Sequence, residues 1–525
     1  MLQIKNLCFT HKKDLREILK DFTCVLNHGD KAVIIGEEGN GKSTLLKWIY
    51  DPELIEEYVE ASGERIANKE RLGYLPQELS SSDRSKSVYE FFTEEPLFSD
   101  LSPKELRKYA KDFHIPADFF YSDQKMETLS GGEKVKAQML RLLIGQPTVL
   151  LLDEPSNDLD IETLEWLETL INGWPYIVLY ISHDETLIEN TATMVIHLEQ
   201  IRRKTLSRYT IANMPYLQYK EERLAKFEKQ EQQALNDRRE KQIRDEKFRK
   251  IYQRVDHEQA AVSRQDPAGG RLLKKKMHTV QALKRRFERE DETMTQMPEQ
   301  ENAIFFKLGN KDSHIPAGKT VIEYSLEKLY TPGHERCLSS HIGLQIRGSE
   351  KIAIIGSNGA GKTTLLRKIA EELLAREDIR AEYMPQNYED LLNLRISPVE
   401  FLDDSGDKSR RTQIRTYLGA LKYTADEMDH PIAELSGGQK AKVLLLKMSL
   451  SNANVLILDE PTRNFSPLSG PVIRRMISGF PGAVISISHD RKFIEEVCTK
   501  VYRLTEKGLA PEPEASFPAS DMGTR

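Results

Sequence analysis

The chain has 525 residues, 39% apolar and 30% charged, with a formal net charge of −6. No stretch approaches the roughly 18 apolar residues that a membrane span needs. Four cysteines, at 8, 24, 337 and 498, are too scattered for a disulfide frame or a CxxC metal site.

Length alone leaves room for two to four domains of roughly 150–200 residues. The opening MLQIKNLCF has no basic region ahead of an apolar core. No secretion signal is expected, and the thiols are read as reduced, in the cytoplasm.

The first informative element is the apolar run 31–35, followed by Gly36-Glu37-Glu38-Gly39-Asn40-Gly41-Lys42-Ser43-Thr44 and a helical pattern over 44–50. A strand, a glycine-rich loop and a helix in that order form the setting of a phosphate-binding loop. Glycines let backbone N–H groups turn towards phosphate oxygens, and the helix N-terminus adds a favourable partial charge. Lys42 would neutralise the phosphates, and the Ser43 hydroxyl would ligate Mg²⁺. Gln77 follows in Tyr-Leu-Pro-Gln, where its amide oxygen can reach Mg²⁺ or an attacking water. Next come Leu129-Ser130-Gly131-Gly132-Glu133 and the buried strand 149–152, which ends in Asp153-Glu154. Asp153 suits the Mg²⁺ shell, since Mg²⁺ keeps several waters and takes few carboxylates. Glu154 can polarise the water that attacks a γ-phosphate. His183, after another apolar strand, is placed to sense that phosphate.

Residues 211–295 are mainly Glu, Lys, Arg and Gln, with no proline between Pro215 and Pro267. That is a helical composition, broken by Asp266-Pro-Ala-Gly-Gly270. Leu273, Met277, Val280, Leu283 and Phe287 fall on one helical stripe, as do Phe248, Ile251 and Val255 on the preceding helix. An antiparallel helical hairpin is expected, its shorter arm of about 25 residues reaching roughly 37 Å, with its tip near 256–277. Residues 211–240 hold 6 basic and 6 acidic side chains, whereas 241–290 hold 15 basic and 7 acidic. The cationic groups Arg264, Arg271, Lys274, Lys275, Lys276, Arg285 and Arg286 therefore sit on an otherwise acidic chain. Such a tip attracts phosphates through counterion release, without regard to sequence. An RNA contact is the expectation.

Module two then repeats the first. Gly356-Ser357-Asn358-Gly359-Ala360-Gly361-Lys362-Thr363-Thr364 matches the first loop, Gln386 matches Gln77, and Leu435-Ser436-Gly437-Gly438-Gln439 matches 129–133. Asp459-Glu460 and His489 repeat Asp153-Glu154 and His183. Serine to acid is 23 residues in both copies, and acid to histidine is 30. Matched order and spacing exclude coincidence. The alternation of strands and helices predicts an α/β fold with a mostly parallel sheet in each module. The expected divisions are 1–210, 211–317 and 318–507, with 508–525 a disordered tail.

Taken together, the two copies resemble the nucleotide-binding domain of ABC ATPases: Walker A loop, Gln loop, LSGGQ signature, Walker B with its glutamate, and switch histidine. The resemblance covers both modules and implies two P-loop ATPase domains joined by a long α-helical hairpin. It implies two ATP molecules, with Mg²⁺, sandwiched head to tail inside one monomer. One site would join Lys42 and Glu154 to Ser436-Gly437-Gly438, and the other Lys362 and Glu460 to Ser130-Gly131-Gly132. Glu154, Glu460, His183 and His489 would be catalytic. Ser43, Gln77 and Asp153, and Thr363, Gln386 and Asp459, would hold Mg²⁺. The family's adenine-stacking aromatic would be Tyr330 in module two, with His11 or Phe9 in its place in module one. Ser466 stands where the family has an aspartate that couples the sites, so unequal hydrolysis rates are expected.

Two such modules joined by a basic hairpin resemble the ABC-F family of ribosome-associated ATPases. This implies binding in the ribosomal tRNA exit site, with the linker tip directed at the P-site tRNA and the peptidyl-transferase region of large-subunit rRNA. The spacings from Gln77 to Ser130 and from Gln386 to Ser436 leave no room for the extra arm many members carry. That pattern resembles the antibiotic-resistance subgroup. A housekeeping ABC-F translation factor and a cytoplasmic double ATPase of a membrane importer are the alternative readings.

Overall fold

The computed structural model describes all residues except 68, 202–205, 262–266, 293, 296, 298–306, 310–312, 332–335, 404–405 and 514–525. Contacts divide the chain into a unit of Met1–Tyr216 with Glu301–Arg525, and a unit of Leu217–Gln300.

Both α/β modules lie in the first unit. Module one has a six-stranded sheet in the order Leu72–Leu75, Val149–Asp153, Ile177–Ile181, Lys31–Ile35, Met194–Ile201, Leu206–Ala212. Its first five strands are parallel and the last is antiparallel. Ala381–Met384, Val455–Asp459, Ala483–Ile487, Lys351–Ile355, Lys500–Thr505 and Gly508–Pro511 repeat that order in module two. In module one the three innermost strands are buried along their whole length, and mostly apolar, because helices cover both faces of a parallel sheet. Register fixes the functional edge. Asp153 pairs with Ile181 and Asp459 with Ile487. Each acid therefore leaves the sheet beside the strand that leads, two residues on, to a histidine. Ligands of open α/β sheets bind at this carboxyl edge.

A smaller antiparallel sheet covers each loop from the side. Leu2–His11 pairs with Glu17–Leu26 and Val59–Ile66 in module one, and Thr320–Tyr330 with Cys337–Arg347 in module two. A Cβ on Gly41 would lie 2.5 Å from the Ile18 side chain, and one on Gly361 would lie 2.8 Å from Leu338. Both glycines also have positive φ, 84° and 94°, so no other residue fits there without strain.

Two expected boundaries shift. Leu308 and Ile315, placed in the linker by sequence, are buried in module two. Residues 508–511, assigned to a disordered tail, form the edge strand, with Leu509 paired to Leu504 and Glu512 paired to Arg503 at 3.0 Å. Prolines at 511 and 513 suggested disorder, yet an edge strand tolerates proline because its outer N–H has no ladder partner.

The second unit is the expected hairpin. Tyr216–Ala261 is a helix of 46 residues and Pro267–Glu292 one of 26, about 69 and 39 Å long. Lys276 pairs with Glu258 at 3.3 Å, and the Phe248 and Phe287 rings meet edge-on at 5.8 Å. Lys241 pairs with Asp291 at 2.7 Å, and Asp237 accepts the Thr295 N–H at 2.9 Å. These pairs march in opposite directions along the two arms, so the helices are antiparallel. Val255 and Val280 are buried in the seam. Among the stripe residues whose side chains are described, which leaves out Leu273, Ile251 is the exception, 46% exposed: a seam between two helices is narrower than the helical spacing rule allows. Phe287→Ala should remove the ring pair and the Arg244 guanidinium that lies 4.5 Å over it. The expected loss is about 2 kcal/mol, read as faster amide exchange across 241–290 with both modules unaffected.

Candidate functional site

In module one the chemistry gathers around the end of Val149–Asp153. Lys42, 7% exposed, donates to the Gly36 and Glu37 carbonyls at 2.9 and 3.0 Å. It is thereby held across its own loop, with Gly36, Gly39 and Gly41 all at positive φ. Ser43 Oγ donates to Asp153 Oδ1 at 2.9 Å, and Tyr74 to Asp153 Oδ2 at 3.2 Å. Burial pushes the Asp153 carboxyl up to about 6. Glu154 accepts from Gln77 Nε2 at 3.0 Å, and His183 Nε2 lies 3.1 Å from its other oxygen. Burial opposes its charge, but the His183 hydrogen bond and charge prevail and hold Glu154 down at about 2. His183 Nδ1 reaches the Phe465 carbonyl of module two at 2.7 Å.

Module two places Lys362, Thr363, Thr364, Gln386, Asp459, Glu460 and His489 around a cavity of about 490 Å³. Gly131 of module one, with Asn358, Gly359 and Gly361, also lines it. Lys362 donates to the Gly356 and Ser357 carbonyls at 2.8 and 3.0 Å. Here the electrostatics differ from those of module one. Burial, helped by Asp459, pushes Glu460 up to about 8, while burial and Lys362 push His489 down to about 3. The His489 N–H donates to Glu460 Oε2 at 3.3 Å, and its Nε2 stands 3.7 Å from Oε1. Burial pushes Asp459 up to about 6. Glu154 and Glu460 both have φ of 52°, strained for a residue with a side chain and typical of functional positions.

A magnesium ion fits these donors. Both oxygens of Asp459, Glu460 Oε1 and His489 Nδ1 are buried without a hydrogen-bond partner among the described residues. No group of three or more His, Cys, Asp or Glu side chains that could hold a metal occurs among those residues. One acid and one hydroxyl per site suit an ion that takes its other ligands from water and phosphate.

Each signature begins a helix, Gly131–Ile144 and Gly437–Leu450. Ser130 and Ser436 are N-caps, each in a capping box with Glu133 or Gln439. The fifth signature residue thus serves the helix start, and both glycine N–H groups remain at a positive helix end.

The two modules meet face to face within the first unit. Glu38 accepts the Gly438 N–H at 2.7 Å, and Lys442 pairs with Glu37 at 3.3 Å. On the other side Asp160 accepts the Asn358 N–H at 3.3 Å, and Asp158 accepts from Gln386 at 3.1 Å and from Arg463 at 2.9 Å. Each loop therefore faces the opposite signature: Glu38 reaches Gly438, and the Asn358 side chain lies against Gly131. Asp158, Arg463 and the crossing contacts of Glu37 and Glu38 were not foreseen from sequence. They lie where the repeats differ: Arg463 aligns with Asn157, Asn464 with Asp158, and Ser357-Asn358 with Glu37-Glu38. Ser466, in place of the second coupling acid, is buried and bonds to Ser469 at 3.0 Å.

The remaining candidates are less central. His11 pairs with Asp14 at 2.7 Å at the end of its strand. Tyr330 ends Thr320–Tyr330, where Thr331 and Leu338 form the adjoining cavity wall. On the hairpin, Lys274, Lys275, Lys276, Arg285 and Arg286 are exposed; Lys276 also pairs with Glu258, and Arg286 with Glu290 at 2.8 Å. His278, Arg285, Arg286 and Arg289 line one groove of the helix surface. Arg264 lies outside the described residues; Arg271 lies in the helix with its side chain undescribed.

Comparison with known proteins gives a consistent picture. The ABC transporter family model matches residues 19–157 and 339–463. The ribosome protection protein VmlR of Bacillus subtilis is 28% identical over 94% of this chain and 85% of its own length. ABC transporter F family member 4 of Arabidopsis thaliana is 26% identical over 92% of this chain and 71% of its own. Among solved structures, a chain of the complex of archaeal ribosomal stalk protein aP1 and archaeal ribosome recycling factor aABCE1 shares the fold. Its TM-score is 0.57 at 17% identity, over 98% of this chain and 91% of that one. No helix among the described residues is long and apolar enough to cross a membrane.

Proposed function

Because the chain belongs to the ABC transporter family, with that family's domain present twice, we propose that it is an ATP-driven clamp acting on the ribosome. Each site binds ATP on a Walker loop, and the opposite signature completes it. Lys42 and Lys362 hold the phosphates; Ser43 with Asp153, and Thr363 with Asp459, hold Mg²⁺, which supplies charge neutralisation at the phosphates. Glu154 and Glu460 orient the attacking water, with Gln77, His183, Gln386 and His489 positioning the reacting groups. His183 also reaches the facing module, so a change at the phosphate is felt on both sides of the interface. ATP closes the pair and hydrolysis releases it.

The observation that carries the ribosomal part is the basic hairpin that joins the modules in sequence, with exposed Lys274 and Lys275 in the first turns of its second arm and exposed Arg285 further along the same arm. An importer ATPase has no use for a cationic prong of this length. Similarity to a protein named for ribosome protection favours the resistance subgroup. On this reading the protein works in the cytoplasm, in the tRNA exit site, with its tip near the P-site tRNA and the peptidyl-transferase rRNA.

Replacing Lys274, Lys275 and Arg285 together by glutamine should weaken ATP-dependent ribosome binding and flatten its salt dependence by about 3 in log–log slope, with ATP hydrolysis off the ribosome unchanged. An unaltered slope would remove the hairpin from the RNA contact. Expression in a susceptible host, tested against inhibitors of the large-subunit active centre, separates resistance from housekeeping: unchanged susceptibility across the panel would favour a translation factor.

A further inference from the structure

The two half-sites are not equivalent, and one of their differences lies in the phosphate loops themselves. In the module-two loop, Ser357-Asn358 turns to module one through Asp160, and the adjoining cavity is about 490 Å³. That volume is in the range of nucleotide-sized pockets. In the module-one loop the same two positions are Glu37-Glu38. Glu38 Oε2 takes the Gly438 N–H at 2.7 Å and lies 3.4 Å from where a Cβ of Gly437 would stand. Lys442, one turn further along the same helix, holds Glu37 at 3.3 Å. Beside this contact lies a small cleft of about 40 Å³, bounded by Glu38, Ser436, Gly438 and Asn464.

We propose that Glu38 is a built-in anion that competes with the γ-phosphate of ATP for the first-turn N–H groups of the second signature helix, so that site one admits ATP only by expelling this carboxylate. The reasoning rests on the reading of these loops as ATP sites. First-turn N–H groups of a 14-residue helix lack helical partners and bind anions. A carboxylate and a phosphate use the same donors, and two anions cannot share them without repulsion. The neutral Asn358 at the corresponding position of site two brings no such competitor. Glu38 is therefore the residue that ranks the two sites: site two fills first, and site one fills at higher ATP concentration.

The test uses the full chain and photoreactive 8-azido-ATP with Mg²⁺, followed by proteolysis to assign the label to module one or module two. Glu38→Asn, which copies the module-two residue, should lower the half-saturating concentration for module-one labelling by about tenfold, the worth of one charge-assisted hydrogen bond. Glu38→Ala should do the same, and module-two labelling should not move. Glu38 lies on an exposed loop, so neither change threatens folding. Unchanged module-one saturation in both variants, or equal saturation of both modules in the unaltered chain, would overturn the proposal. Failure of either module to label at all would instead overturn the ATP reading beneath it.

Discussion

Changing Glu154 and Glu460 together to glutamine is expected to lower ATP turnover by about 10²–10⁴-fold and to trap the closed, ATP-loaded form on ribosomes. Glutamine keeps the shape and the acceptor that Gln77 uses at 3.0 Å in site one but cannot carry the charge that orients a water. The two carboxyls start from opposite conditions. Glu154 is held down at about 2 by His183, against its own burial; burial pushes Glu460 up to about 8. Near neutral pH Glu154 is a carboxylate and Glu460 keeps its proton until ligands change its surroundings. The single variants should therefore differ in pH profile. With Glu154 alone remaining, turnover should be nearly flat from pH 6 to 9; with Glu460 alone remaining, it should rise with pH. Phosphate release measures the rates, and a sucrose gradient of the double variant with ATP measures the trapping. Double-variant protein left at the top of that gradient would end the ribosomal reading.

Arg474→Met is expected to cost about 3–5 kcal/mol, the largest effect on stability foreseen for any single change. Arg474 is 2% exposed and sits among Glu185 of module one at 2.7 Å, Glu496 at 2.8 Å and Asp490 at 3.9 Å. Burial works against the guanidinium charge, and its acidic partners outweigh that, so its pKa is raised. Removing it would take from the buried Glu185 its guanidinium partner at 2.7 Å and leave it Lys492 at the longer distance of 3.6 Å. The double change Arg474→Met with Glu185→Met should recover most of the loss, because it removes both charges together. Thermal unfolding of the single and double variants decides this. Equal melting temperatures for the single variant and the parent would show that the cluster contributes nothing to joining the modules.

The residues that gather at the two candidate sites were legible in the sequence, because phosphate, Mg²⁺ and water activation would tolerate few residue types at few spacings. Lys42, Asp153, Glu154 and His183 are such residues, and their repetition removed the ambiguity that each has alone. The parallel sheets were readable too, since 149–152 and 455–458 are apolar on both faces. The contacts between the modules were not. Glu38, Asp158, Arg463 and Arg474 sit where the repeats disagree, and a search for sameness passes over them. Aligning the copies and asking where a charge is lost, gained or reversed would have found them: Glu38, Asp158 and Arg463 each face an asparagine in the other copy, and Arg474 faces Glu168. The edge strand at 508–511 escaped for a different reason: its pairing depends on Lys500–Thr505 already standing in a sheet, which no local pattern records. Ile251 shows the converse limit, since a helical period locates a stripe but not the width of the surface that covers it.

One feature of the interface bears on how the halves combine. Beyond the switch histidines, module one contributes Asp184, Glu185 and Glu189, and module two contributes Arg491 and Lys492. Lys492 stands 3.6 Å from Glu185 and also meets Glu189, and Arg491 meets Glu168. Pairing two first modules would oppose acid to acid, and pairing two second modules would oppose base to base. Neither half can substitute for the other, so a recombinant carrying the same half twice would be refused at the seam.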